Sequence, residues 1–212
     1  MDRTAVAVIA DIVDSRKIAD RRSVQAEIVA AFSGVNSLLP GVQNLHPTVG
    51  DEFQALYSTV PAALEATLLA RLALPEGIDC RFGMGLGAVS EVGQGSAGPV
   101  QDGAAWWLAR EAIDEAHDRE KSRTPSLRGW FREAAGDAAL EPAVNAYLLA
   151  RDHIVGSMKG RARRLTFGAL CGLRQDQLAA QEGITQSAVS QALRRSGGAS
   201  LIAAIDELGL TP

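Results

Sequence analysis

Aromatic side chains are scarce, at 5% of 212 residues, and there are only two cysteines and three histidines. Cys80 and Cys171 cannot form a disulfide framework, and His46, His117 and His153 are too scattered for zinc-ligand spacing. Also missing is any run of the roughly eighteen uncharged apolar residues that a membrane span needs. The apolar run from Ala5 to Ala10 is stopped by Asp11. No membrane anchor and no signal peptide are therefore expected, and a reduced, cytoplasmic setting is. What is abundant is ordinary globular material: 47% of residues are hydrophobic and 22% charged, with a mean hydropathy of +0.03. That excludes a disordered chain. At roughly 100 to 200 residues per domain the length allows one large domain or two small ones, and two are expected.

The net charge of −4 on its own argues against a simple nucleic-acid coat, but the balance is uneven. Residues 1–155 carry 14 Lys and Arg against 21 Asp and Glu, whereas residues 156–212 carry 7 against 4. A basic excess confined to the tail fits either local phosphate contact or a solvated surface.

Thr4 to Ala10 reads as a strand buried on both faces, followed by the acidic turn Asp11 to Asp14. Val24, Ile28, Phe32, Val35 and Leu39 mark one helix face, stopped by Pro40-Gly41. Asp14, Arg16 and Asp20 form a charged turn that caps this helix near Ser23. Gln43 to Val49 and Glu52 to Tyr57 are extended runs meeting at Gly50-Asp51, a hairpin turn. Thr59 and Pro61 open a second helix with Leu64, Leu68 and Leu72 on one face. From Cys80 to Gly87 the chain alternates, with Gly83, Gly85 and Gly87 on one side, so that either a helix or a ligand approaches closely. Ser90 to Gly103 reads as a Gly-rich loop, and Leu108, Ala109, Ala112, Ile113 and Ala116 as a helical stripe. The order is β-α-β-β-α-β, the ferredoxin-like arrangement. Residues 1–122 are expected to form this α+β domain, 123–139 an exposed connection, and 140–212 an all-α domain.

In this topology Asp11 and Asp51 reach one edge of the sheet. Two converging carboxylates suit Mg²⁺ or Mn²⁺ carrying a nucleotide; the alternative is that both only shape turns.

ADIVDSR at 10–16 and TVGDEFQALY at 48–57 resemble the signature of the bacterial SatD family. More distantly, the first 120 or so residues resemble the class III nucleotidyl cyclase and diguanylate cyclase fold, in which one metal-binding Asp follows the first strand and a second sits in a Gly-Asp turn about forty residues on. Arg81 to Gly87 resembles the cyclase R-x-G-x-x-x-G strand, Gly103 through Ala109-Arg110 the later helix ending in A-x-R, here with Leu108 in place of its Ala, and Val49 to Phe53 a GGDEF signature with Val for its first Gly. The resemblance implies Asp11 and Asp51 as metal ligands and Glu52 as an acid/base or neighbouring carboxylate. It implies nucleotide contacts from Ile12, Gly50, Gly83, Gly85, Trp106 and Arg110, with Arg110 on the polyphosphate. Three positions depart from the pattern: Pro47 replaces the adenine-reading Lys, Trp106 the transition-state Asn, and Val49 the Gly. Such losses reduce turnover more than binding. Of the adjacent Trp106 and Trp107, at most one can face the core squarely; the other is placed for an interface or for stacking on a base.

Residues 175–195 carry a helix-turn-helix pattern. Leu178, Ala179, Gly183, Ile184, Val189 and Leu193 fill its packing positions and Thr185 caps the second helix. This leaves Thr185, Gln186, Ser187, Ser190, Gln191, Arg194 and Arg195 to meet double-stranded DNA. The unit resembles sigma-factor region 4, with 161–170 as its first helix and Arg161, Arg163 and Arg164 as further phosphate contacts. A packing or dimerisation module is the alternative. Helices at 141–155 and 200–208 are expected to hold a homodimer. The expected whole is a DNA-binding regulator with a metal- and nucleotide-binding cyclase-like sensory domain; the rival is an active nucleotidyl cyclase with a helical interaction tail, and a third reading is a catalytically dead dimer scaffold.

Overall fold

The computed structural model describes residues 3–18, 20–48, 50–95, 98–134, 136 and 138–209, with backbone alone at 16, 94, 95 and 98–100. Val49 and the Arg16 side chain, both singled out in the sequence, lie outside this description.

The chain folds as a mixed α+β structure. β1 (Arg3–Ile12), α1 (Arg21–Leu38), β2 (Gln43–Pro47), β3 (Glu52–Tyr57), α2 (Val60–Ala73) and β4 (Cys80–Gly95) follow the expected β-α-β-β-α-β order. The sheet runs β2-β3-β1-β4-β5, antiparallel throughout this path. β1 is central, and its residues from Ala5 to Ala10 are enclosed from both sides because successive side chains enter different cores. Val6, Val8 and Ala10 face a core shared with Phe32, Phe53, Phe82 and Leu64; Ala5, Ala7 and Ile9 face Ala105, Ala109 and Ile113 of α3 (Ala104–Ser122). The few aromatics are concentrated here: Phe32 meets Phe53 edge-on with ring centroids 5.0 Å apart. Asp20 caps α1 by accepting from the Ser23 amide, and Thr59 caps α2 from Ala62.

The glycine row of β4 belongs to helix packing. A Cβ on Gly83 would lie 2.1 Å from the Ala109 carbonyl oxygen, and one on Gly85 2.2 Å from that of Ala105. α3 lies directly on the strand, so Gly83 and Gly85 are not placed for the nucleotide contact expected of them.

Two expected loops are strands. Within the stretch read as a Gly-rich loop, β4 continues to Gly95 and pairs with β5 (Gly98–Asp102). The stretch 123–139, expected as an exposed connection, contains β6 (Gly129–Glu133), which adds to β4 in parallel with Met84 opposite Phe131. Leu127, Trp130 and Phe131 are buried, and Arg119 covers the Trp130 ring at 4.1 Å.

The helical tail is not a separate body. α4 (Leu140–Ser157) adds Val144 and Leu148 to the sheet core. Leu68 and Leu72, on the outer side of α2, are covered by Val155, Met158, Leu201 and Ile205. The apolar stripes of α4 and of α8 (Gly198–Glu207) are thus buried within the chain, not offered to a second copy as expected. α5 (Gly160–Leu170), α6 (Gln175–Glu182) and α7 (Gln186–Ser196) enclose Leu165, Leu178, Ala179, Val189 and Leu193. Gly183, with φ of 63°, turns the chain between α6 and α7, and Thr185 caps α7 by accepting from the Ala188 amide at 3.2 Å. No helix among the described residues is long and apolar enough to cross a membrane.

Candidate functional site

Register across three strands builds the sheet edge: Asp11 sits opposite Glu52 on β3 and opposite Arg81 on β4. Asp51 occupies the turn before β3, next to Gly50, whose φ of 74° suits a residue without a Cβ. Asp11, Ile12, Asp51, Glu52 and Arg110 all border one open cavity of about 770 Å³. Gly50 borders a smaller neighbouring one of about 370 Å³ that shares Ile12 and Asp51. The two aspartates that the sequence separates by forty residues therefore share a cavity.

Their states differ. Arg81 Nη1 donates to Asp11 Oδ1 and Oδ2 at 2.9 and 3.0 Å, while its Nε donates to Glu120 at 2.5 Å. Asp51 has no hydrogen bond or ion pair among the described residues. Burial raises the Asp11 carboxyl above the usual carboxylate range, the Arg81 and His117 charges oppose this, and Asp51 adds to it. Glu52 Oε2 accepts from Arg110 Nη2 at 2.6 Å and Oε1 from Gln54 at 2.9 Å, so Glu52 is engaged as an anchor for Arg110. Lys17, Arg21, His117 and Lys121 complete a rim of mixed charge.

The residues fit a hard divalent cation. Mg²⁺ is commonly held by one or two carboxylates with phosphate and water supplying the rest. Asp51 has no competing partner among the described residues, whereas Asp11 would have to share its oxygens with Arg81 to hold a cation. Among the described residues no group of three or more acids, His or Cys gathers into a metal site of its own, so a cation here needs oxygens from a ligand.

Arg81 also begins a chain of ion pairs leading inward. Glu120 pairs with Arg128, Arg128 with Asp79, Asp79 with Arg71, and Arg71 with Asp152 of α4. Arg151 joins at Asp152 and Thr67. Arg71, Arg151 and Asp152 are fully buried, a rare situation that requires nearly every polar atom to be matched.

Trp106, placed by the sequence at the nucleotide, packs against the α3-side core and is absent from the cavity lining. Trp107 is its exposed neighbour, at 63%. In the tail, Thr185, Gln186, Ser187, Gln191, Arg194 and Arg195 are exposed and Ser190 is half-buried. Arg161 and Arg164 share Glu182, and Arg163 turns inward, donating to the Arg71 carbonyl oxygen. These three are therefore engaged within the chain.

The family model of the SatD family matches residues 5–202. The chain belongs to the SatD family. No curated protein matches it. Among solved structures, a bacterial light-regulated adenylyl cyclase is 15% identical at a TM-score of 0.47, over 56% of this SatD-family chain and 41% of that one. This chain thus spans well under half of that relative's length. The guanylyl cyclase Cya2 is 13% identical at 0.41, over 54% and 71% of the two chains. The catalytic core of a rhodopsin-guanylyl cyclase with converted specificity, in complex with ATPαS, is 16% identical at 0.40, over 52% and 72%.

Sequence reasoning about this SatD-family member missed Lys17, Arg21, Arg81, His117 and Lys121 as neighbours of the acidic pair. A signal existed for three cations: Arg110, His117 and Lys121 recur at helical spacing along α3. None existed for the Arg81 bond to Asp11, which depends on which strands pair.

Proposed function

We propose that this chain binds a purine nucleotide with Mg²⁺ or Mn²⁺ at the sheet-edge cavity, in a site of the nucleotidyl cyclase type. The supporting observation is that Asp11 and Asp51 border one open cavity together with Lys17, Arg21, Arg110 and Lys121. Its volume lies in the range that accepts a nucleotide-sized ligand. Carboxylates take the cation and the basic rim takes the phosphates, while Gly50 lets the backbone come close. A bound divalent ion would neutralise phosphate charge, the chief requirement of phosphoryl transfer. Arg110 is prepositioned by Glu52 for the polyphosphate, and Ile12 forms an apolar wall. With Pro47 and Trp106 at the positions of base-reading and transition-state groups, binding is the firmer half of the reading and turnover the further one.

Calorimetric titration with ATP and GTP, with and without Mn²⁺, tests it. Metal-dependent binding that Asp51→Asn abolishes is the expected result. The absence of any nucleotide-dependent shift in melting temperature would refute it. Appearance of a cyclic nucleotide, lost in Asp51→Asn, would add catalysis.

A second reading, contact with double-stranded DNA, rests on the outer face of α7. Gln186, Ser187, Gln191, Arg194 and Arg195 are exposed there, ahead of and along a capped helix packed on α6. In that reading the two activities belong to one regulator that works as a homodimer. Salt-sensitive affinity for duplex, reduced by Gln191→Ala and Arg194→Ala, is expected; affinity unchanged in both variants removes the reading.

A further inference from the structure

A separate cavity, of about 530 Å³, opens where the end of α2 meets α5 and α6, away from the acidic edge. Leu72, Leu165, Phe167, Leu173 and Leu178 give it apolar walls. A space of this size and lining suits a small organic molecule.

Two arginines border it. Arg164 is exposed, and both oxygens of Glu182 accept from it at 2.6 and 2.7 Å. Arg163 is half-buried and differently placed. Its Nη2 donates to the Arg71 carbonyl oxygen, and its Nε is enclosed without an acceptor among the described residues. Asp79 and Glu76 act on it electrostatically, yet neither forms an ion pair with it among the described residues. Asp79 already accepts from Arg71 through both oxygens, from the Cys80 amide and from Arg128. A guanidinium partly removed from water, with no ion pair among the described residues to match its charge, is costly, and an anion entering the cavity it borders would offset that cost.

We propose that this cavity binds a small amphipathic carboxylate, its charge on Arg163 and its hydrocarbon body among the leucines. The proposal is independent of the nucleotide reading. Glu76, exposed at the rim, opposes an incoming anion and sets its affinity.

Calorimetry of the full chain with octanoate, 1-octanol and acetate tests the assignment. Octanoate should bind saturably, at least about tenfold tighter than octanol, because the charge-assisted hydrogen bond is lost in the alcohol. Acetate should not bind measurably. Arg163→Gln should bring octanoate down to octanol. Glu76→Gln, at an exposed position that leaves folding intact, should tighten octanoate about two- to threefold. Octanol binding as well as octanoate, no saturable octanoate binding, or an octanoate affinity unmoved by Glu76→Gln would each overturn the proposal.

Discussion

Asp11 and Asp152 are both aspartates bonded to arginine, and the two surroundings could hardly differ more. Asp152 lies at the buried centre, where Oδ1 accepts from Arg71 and Arg151, and Oδ2 from the amides of Arg128 and Gly129 at 2.6 and 2.7 Å. Every lone pair faces a fixed donor, so the charge joins β6, α2 and α4. Asp11 lies at the rim, with Arg81 on one side and an open cavity on the other. Saturation makes a charge structural, whereas an unsaturated one beside a cavity is available to a ligand.

The sharpest way to break this contrast is to delete one acid from each place. Asp152→Ala leaves Arg71 Nη1, Arg151 Nε and two amides without their acceptor, and should cost about 3–5 kcal/mol in urea unfolding. Asp51→Ala, at the cavity, should stay within about 0.5 kcal/mol in the same measurement. The glycines offer a parallel pair. Gly85→Ala forces a Cβ onto α3 and should cost about 1–3 kcal/mol. Gly50→Ala meets open space but a positive φ, and should cost about 1 kcal/mol.

Arg81 sharpens the comparison from the other side. Arg81→Gln releases Asp11 from its ion pair, so on the proposed reading Mn²⁺ affinity measured by calorimetry should rise several-fold. Unchanged affinity would mean that Asp11 does not ligate.

The smallest effect is in the pH dependence. Burial pushes the Asp79 carboxyl up, but the charge and hydrogen bonds of Arg71, with Arg128, hold it below its ordinary value of 3.8. It therefore contributes stability above that value that is lost as pH falls through the lower folded pKa. Asp11 is shifted upward from 3.8; its contribution is largest below 3.8 and declines as pH rises through the raised folded pKa. Asp79→Asn should make the acid limb of a stability-versus-pH curve shallower, and Asp11→Asn should make it steeper.

Much of the fold was legible. Alternation and helical spacing locate β1 to β4 and α1 to α3, and the glycine row announces a close approach although not by what. β5 and β6 escaped because Gly98-Pro99 opens the first with turn residues and charged or turn-forming residues flank the second; their identity comes from the partner strand. The charges around β6 read as exposure, yet Arg128 is neutralised by Asp79, 49 residues earlier in the chain, and by Glu120. Arg163 misled in the same way: on a basic helix it reads as a phosphate contact, and packing turns it inward.

By itself the sequence determined where β1 to β4 and the helices form and that Asp11 and Asp51 lie at a strand end and in a turn, because local periodicity and turn chemistry act over a few residues. The tertiary structure alone decided which charges are matched and which remain open to a ligand. A carboxylate's role depends on the donors around it, and here those arrive from strands and helices distant in the chain.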